Sequence, residues 1–256
     1  WGREHASNLG PMLGFRLHEE YGLPVFTADP VTVDEMDGLA RVSGVPEIAR
    51  KSNLHALNIK AVLRRAASEL GVGLADKNFV VAHMGGGTSV AAVRRGAIVD
   101  VNNALLGMGP FSPLRAGALP IGDLLEMAYS GRYEKGSLMR KLTHESGLMG
   151  YLGTSDVREV ERRIDSGDEY ASSVFEAMAY QVAKEIAAMA SVLGGDVEAV
   201  LLTGGVANSG RFTGLVQERV GFVARVIVYP GEYEMESLAW YALRALTGEE
   251  RILEYG

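Results

Sequence analysis

The run His83-Met84-Gly85-Gly86-Gly87-Thr88-Ser89 brings together a histidine, three glycines and two hydroxyls. Backbone N–H groups of consecutive small residues can converge on one anion, and the Thr88 and Ser89 hydroxyls add donors, so the run suits a phosphate. It is not a Walker loop, because the Gly-Lys-Ser/Thr ending is missing and a strand-like segment follows instead of a helix. An ordinary glycine hairpin fits these residues equally well.

A second glycine turn, Thr203-Gly204-Gly205, follows the apolar run ending at Leu202 and leads through Asn208 into a helix. Its glycines would let a base or ribose lie against the backbone beside a helix N-terminus, although strand-Gly-Gly turns are also common connections. In the acidic loop Gly231 to Glu236, Glu232 and Glu234 read as a solvated helix start, and Glu236 stays open as a holder of Mg²⁺ through its waters. His5 and His83 adjoin unusual sequence, whereas His18, His55 and His144 lie in helix-like segments. No His-x-x-x-His pair argues for metal ligation by histidine. Arg115, in a loop braced by Pro110 and Pro113, could clamp a carboxylate or phosphoryl group with its fork, or be a surface arginine.

These residues need elements to carry them. Leu23 to Ala28 reads as a strand stopped by Asp29-Pro30, placing Asp29 at a strand end. Asn53 to Leu70 reads as an amphipathic helix closed by Gly71 in the left-handed conformation. Strands are predicted over Phe79 to His83, Val90 to Arg94 and Ala97 to Val101, then at Ala199 to Leu202 and Arg225 to Tyr229. Helices are predicted over Asp123 to Tyr129, Ser137 to His144, Asp156 to Ile164, Ser172 to Leu193 and Met235 to Leu246. In such α/β arrangements ligands gather beyond the carboxyl ends of strands, so a site is expected at the loops Thr203-Gly204-Gly205 and Pro230-Gly231.

The 256 residues are 47% hydrophobic, enough for a substantial core. A balance of 25 basic against 32 acidic side chains gives a net charge of −7, which argues against nucleic acid and acidic membranes as partners. Cysteine is absent, as a reducing cytoplasm permits, and cytoplasmic location is the expectation. The apolar windows fall far short of the ~20 residues of a membrane span. The first residue is Trp1, and the true beginning is expected to lie upstream.

Together, FVVAHMGGGTSVAAVRRGAIVDVNN, GMGPFSPLRAGALPIGD, YLGTSDVREVE, EAMAYQVAKEIAAMA, LLTGGVANS and VYPGEYEMESLA closely resemble the butyrate kinases. That family is similar to the acetate kinases, with the fold of actin, Hsp70 and sugar kinases. The resemblance implies a two-domain ribonuclease H-like (actin-like ATPase) α/β fold whose first domain here lacks its N-terminal strands. It divides the chain into 1–30 as the remainder of that domain, 31–232 as the nucleotide-binding domain, and 233–256 as a C-terminal helix returning to the first.

What the resemblance implies chemically is reversible phosphoryl transfer between ATP and a short-chain carboxylate, with Mg²⁺, in a homodimer or larger homo-oligomer. Gly85, Gly86, Gly87, Thr88 and Ser89 then form the second phosphate loop, and Thr203, Gly204, Gly205 and Asn208 the adenosine motif. His83 stabilises the transferring group. His5 and Asn8, in HASNL, match the family's HNPxNL segment near the acyl substrate, with His5 also counted as catalytic. Asp29 and Glu236 match its two metal-holding acids, and Ser155-Asp156-Val157-Arg158 its SDxR segment. Where acetate kinases carry a substrate arginine in TRSGD, this chain reads Leu119-Pro120-Ile121-Gly122-Asp123, so Arg115 takes that role as a replacement. The family's first phosphate loop, N-x-G-S-x-S-x-K, is absent. Two rivals remain: a kinase for acetate, propionate or a branched acid, and a non-catalytic nucleotide-binding protein.

Overall fold

Alternation governs the strands: Phe79 and Val81 point to one face and Val80, Ala82 and Met84 to the other, and both sets are buried. A sheet apolar on both faces needs a layer on each. The computed structural model, which describes residues 9–105, 108–249 and 252, supplies both layers. Its strands are β1 (Asn78–Met84), β2 (Thr88–Arg94), β3 (Ala97–Val101), β4 (Ala199–Gly204) and β5 (Val226–Pro230). They form one sheet in the order β3-β2-β1-β4-β5. The first three are an antiparallel meander, while β4 and β5 lie parallel to β1 and to each other. The meander turns tightly at Arg95-Gly96, with φ of 52° and 87°.

The helices in chain order are α1 (Leu9–Tyr21), α2 (Gly38–Arg41), α3 (Ala56–Leu70), α4 (Ile121–Tyr129), α5 (Lys135–His144), α6 (Gly147–Leu152), α7 (Val157–Asp165), α8 (Glu169–Val192), α9 (Gly210–Val220) and α10 (Glu234–Leu246). On one face α3 packs Ile59, Val62, Leu63 and Ala66 against Phe79, Val81, Ala199 and Leu201. On the other, α8 and α9 bring Phe175, Met178, Val182, Ile186 and Phe212 against Val80, Ala82, Val200 and Leu202. Gly71 closes α3 at φ 66° as expected, and Asp168 caps α8 by accepting the Ala171 N–H.

Differences from the sequence expectations are local. Leu23 to Ala28 is not a strand: it is irregular, with Leu23 and Val25 exposed, because no sheet edge lies alongside to complete a ladder. Asp29 ends this segment at φ 38°. Helices α1 and α6 carry internal or leading glycines, which masked their periodicity. The turn after β4 first makes a 3-10 turn, Gly205–Asn208, and α9 opens two residues later behind its Ser209 cap.

Candidate active site

The carboxyl ends of the three parallel strands β1, β4 and β5 are tied together. His83 pairs with Thr203, Thr203 with Tyr229, and Gly204 and Gly231 exchange N–H to carbonyl bonds of 3.1 Å each way. Gly204 sits at φ 92°, and a Cβ there would meet the backbone of Met84. The glycine turn projects from this edge, closed by a 2.9 Å bond from the Gly85 N–H to the Gly87 carbonyl. Its glycines serve close approach, since the Arg115 guanidinium occupies the space that a Cβ on Gly87 would need.

The proline-braced loop grips the turn from the side. Ser112 Oγ donates to the Gly86 carbonyl at 2.7 Å, the Leu114 N–H donates to the same oxygen at 3.3 Å, and Arg115 Nη1 donates to Ala104 O at 2.5 Å. The structure therefore brings Arg115, His83 and the Gly85–Gly87 turn together, and burial lowers the Arg115 pKa without threatening its charge.

His83 is 1% exposed. Its Nδ1 lies 2.6 Å from Asn58 Nδ2, and its Nε2 faces the turn, 3.4 Å from where a Cβ on Gly85 would sit. The His55 ring stacks on it with centroids 4.1 Å apart. Burial pushes the His83 pKa well below its usual value, with the neighbouring His55 adding to the effect. Burial first, then the Arg115 charge, lowers His55 to about 4. Both rings are neutral at pH 7.

Linkage gives this a sign. Unfolded histidine binds a proton near pH 6.5 that folded His55 refuses until about pH 4, so its stabilisation is complete above 6.5 and is lost as pH falls through that window. The loss for His55 alone is roughly 3 kcal/mol. Urea midpoints at pH 7.5, 6.5, 5.5 and 5 should change little down to about pH 6.5 and then fall for wild type, and fall less for His55→Gln. Equal slopes for the two proteins would refute the assignment.

Several sequence candidates are placed otherwise than expected. Ser89 Oγ is turned away from the phosphate side: it accepts the His55 N–H at 3.3 Å and bonds His55 Nδ1 at 2.9 Å. Thr88 is buried beside Arg115 and Ser112. The Thr203 hydroxyl is inside, donating to Gly231 O at 3.3 Å, while Gly205 and Asn208 are exposed and Asn208 Nδ2 braces the 3-10 turn through Gly205 O at 2.9 Å. Asp156 and Arg158 form a helix cap and an exposed ion pair. His5 and Asn8 lie outside the described residues.

The two acids assigned to a cation stand in different surroundings. Asp29 accepts the Tyr241 hydroxyl and has Lys60 at 3.8 Å and Arg64 at 4.0 Å, so its charge is already answered. Tyr241 stands five residues along α10 from Glu236, about 140° around the helix, so the face that meets Asp29 is not the face of Glu236. Among the described residues no group of three or more histidine or acidic side chains could hold a metal.

Three contributors escaped the sequence reading. His55 read as helical but stands at the N-cap of α3. Asn58 is a fully buried polar residue on an apolar helix face. Glu232 Oε1 lies 3.9 Å from the Cβ position of Gly85, close to the turn despite its exposure. Only Asn58 left a trace in the sequence, as the polar residue beside Ile59 where the helix pattern is apolar.

A mixed sheet of this order, with a glycine turn, a buried histidine and an arginine gathered at its strand ends, makes this an α/β core whose candidate site lies at the carboxyl edge of the sheet. The model of the acetokinase family matches residues 45–224. The chain is 53% identical over its whole length to the probable butyrate kinase 2 of Caldanaerobacter subterraneus subsp. tengcongensis, spanning 72% of that protein. It is 51% identical over 97% of its length to the probable butyrate kinase of Listeria innocua, spanning 70% of it. The acetate kinase of Porphyromonas gingivalis superposes with a TM-score of 0.74 over 82% of this chain and 61% of that one, at 23% identity, and so shares the fold. The chain belongs to the acetokinase family, and with it to the carboxylate phosphotransferases.

Proposed function

We propose that the protein reversibly transfers the γ-phosphoryl group of ATP to butyrate or a similar short-chain carboxylate, giving an acyl phosphate and ADP. The observation that carries this is the convergence of His83 and Arg115 on the Gly85–Gly87 turn at the strand ends. A carboxylate oxygen attacks the γ-phosphorus in line as the bond to the ADP oxygen breaks, and it needs no base near neutral pH. Catalysis then rests on placing donors around the equatorial oxygens, as the neutral His83 and the permanently charged Arg115 do. Thr203, Gly204, Gly205 and Asn208 shape the floor for adenosine, Gly205 and Asn208 from the exposed side. His5 and Asn8 are assigned to the acyl substrate. Mg²⁺ would accompany ATP as counterion of its phosphates, supplying charge neutralisation there.

In this reading residues 31–232 are the nucleotide-binding domain, and 1–30 with 233–256 belong to the first domain. The assignment extends to a cytoplasmic homodimer or larger homo-oligomer that uses neither membrane nor nucleic acid. In support, no helix among the described residues is long and apolar enough to cross a membrane. The identity to proteins named butyrate kinases favours butyrate over acetate. Trapping acyl phosphate with hydroxylamine should give kcat/KM for butyrate and isobutyrate at least about tenfold above acetate, the scale of discrimination that a methylene or two provides. A ranking led by acetate would move the assignment to the acetate kinases, and ATP binding without acyl hydroxamate would exclude a kinase.

A further inference from the structure

Asn58 is buried completely, in the first turn of α3, where an apolar residue would fit the helix face. A buried amide persists when its hydrogen bonds are satisfied, and the partners here decide which way it points. Its Oδ1 lies 3.4 Å from the backbone N–H of Tyr233, which can only donate, so that end must be the carbonyl. The other end is therefore the NH2, and it lies 2.6 Å from His83 Nδ1. An NH2 group can only donate, so Nδ1 must hold a lone pair. The proton of a neutral imidazole is then on Nε2, the atom facing the Gly85 turn.

We propose that Asn58 is a positioning residue that locks His83 in its Nε2–H tautomer and aims that N–H at the phosphoryl group. The proposal rests on the reading above in which His83 donates to a phosphate oxygen. The opposite tautomer would point a lone pair at an anion, exchanging attraction for repulsion at the same distance. Because the amide is held by the Tyr233 backbone, the tautomer is tied to the junction between β5 and α10, next to Glu232 and Glu234. Tyr233 itself is fixed there, its hydroxyl donating to Pro230 O at 3.2 Å.

Two measurements test this. Long-range 15N–1H correlation of the wild-type protein at pH 7.5, with His83 assigned by its loss in His83→Ala, should show a neutral ring protonated on Nε2. A ring protonated on Nδ1, or a doubly protonated one, would overturn the proposal without any variant having to fold. The second uses Asn58→Asp, which keeps the side-chain shape and the acceptor for the Tyr233 N–H but turns the donor facing His83 into an acceptor. We expect the ring to move its proton to Nδ1, kcat at pH 8 to fall about 100-fold, and KM for ATP to stay within about threefold. A merely structural role predicts unchanged kcat for this isosteric change, so kcat within threefold of wild type would overturn the proposal. Undiminished kcat in His83→Ala would instead sink the parent reading of His83, while the tautomer would still be read by the first experiment.

Discussion

Gly204→Ala is expected to destabilise the protein by more than about 3 kcal/mol, the sum of two independent faults. At φ 92° the residue holds a conformation that costs any side chain. The added Cβ would lie 2.7 Å from the Met84 carbonyl carbon and 2.8 Å from the Met84 nitrogen. These are backbone atoms of β1, so no rotamer change relieves the contact. Moving them apart would break the His83 to Thr203 register and the paired bonds between Gly204 and Gly231. Gly205→Ala is the control, because nothing lies within 4 Å of its Cβ position. It should leave the urea midpoint nearly unchanged and raise KM for ATP if adenosine lies against that backbone. A Gly204→Ala protein within about 1 kcal/mol of wild type would show that the strand ends are not held as described.

This contrast shows what a sequence discloses. Gly204 and Gly205 are identical letters at a strand end, and the reading assigned both to one motif. Their difference arises from a parallel strand more than a hundred residues away in the chain, whose backbone approaches one and not the other. The strands themselves were legible, because alternation and β-branched content are local properties, and so was Gly71 as a helix stop. Leu23 to Ala28 has the same local signature but lacks a neighbour to pair with, and pairing is not written in a segment alone. The site divides in the same way. His83 and the glycine turn are contiguous and were visible as a unit. Asn58 and His55 reach them only because α3 lies across β1, a tertiary fact that made two ordinary helix residues into neighbours of His83. Asp29 shows the same limit: the sequence placed it at a strand end, while the packing of α10 on α3 surrounds it with Tyr241, Lys60 and Arg64.

Arg115→Lys should lower kcat by about 100- to 1,000-fold while leaving the fold and KM for ATP nearly intact, and Arg115→Ala by more. One arm of the guanidinium is anchored on Ala104 O, its carbon lies 2.7 Å from where a Cβ on Gly87 would be, and the residue is half-buried beside Thr88. An anchored planar fork can present its remaining N–H groups to two oxygens of a phosphoryl group, whereas an ammonium in the same place offers charge without the second directed bond. Lysine can still satisfy Ala104 O, so thermal stability separates chemistry from packing. Alanine leaves that carbonyl without its donor and should cost about 1–3 kcal/mol besides the activity. Charge supplies a further readout. Arg115 is one of the two causes that hold the His55 pKa near 4, so removing the cation should raise that value, with burial keeping it below 6.5. Arg115→Lys should leave it low. The expected pattern is thus a kcat loss in both variants, a His55 shift in alanine alone, and partial recovery of Arg115→Ala activity by added guanidinium. Lysine activity within threefold of wild type would remove Arg115 from the transition state and leave it as the brace of the glycine turn.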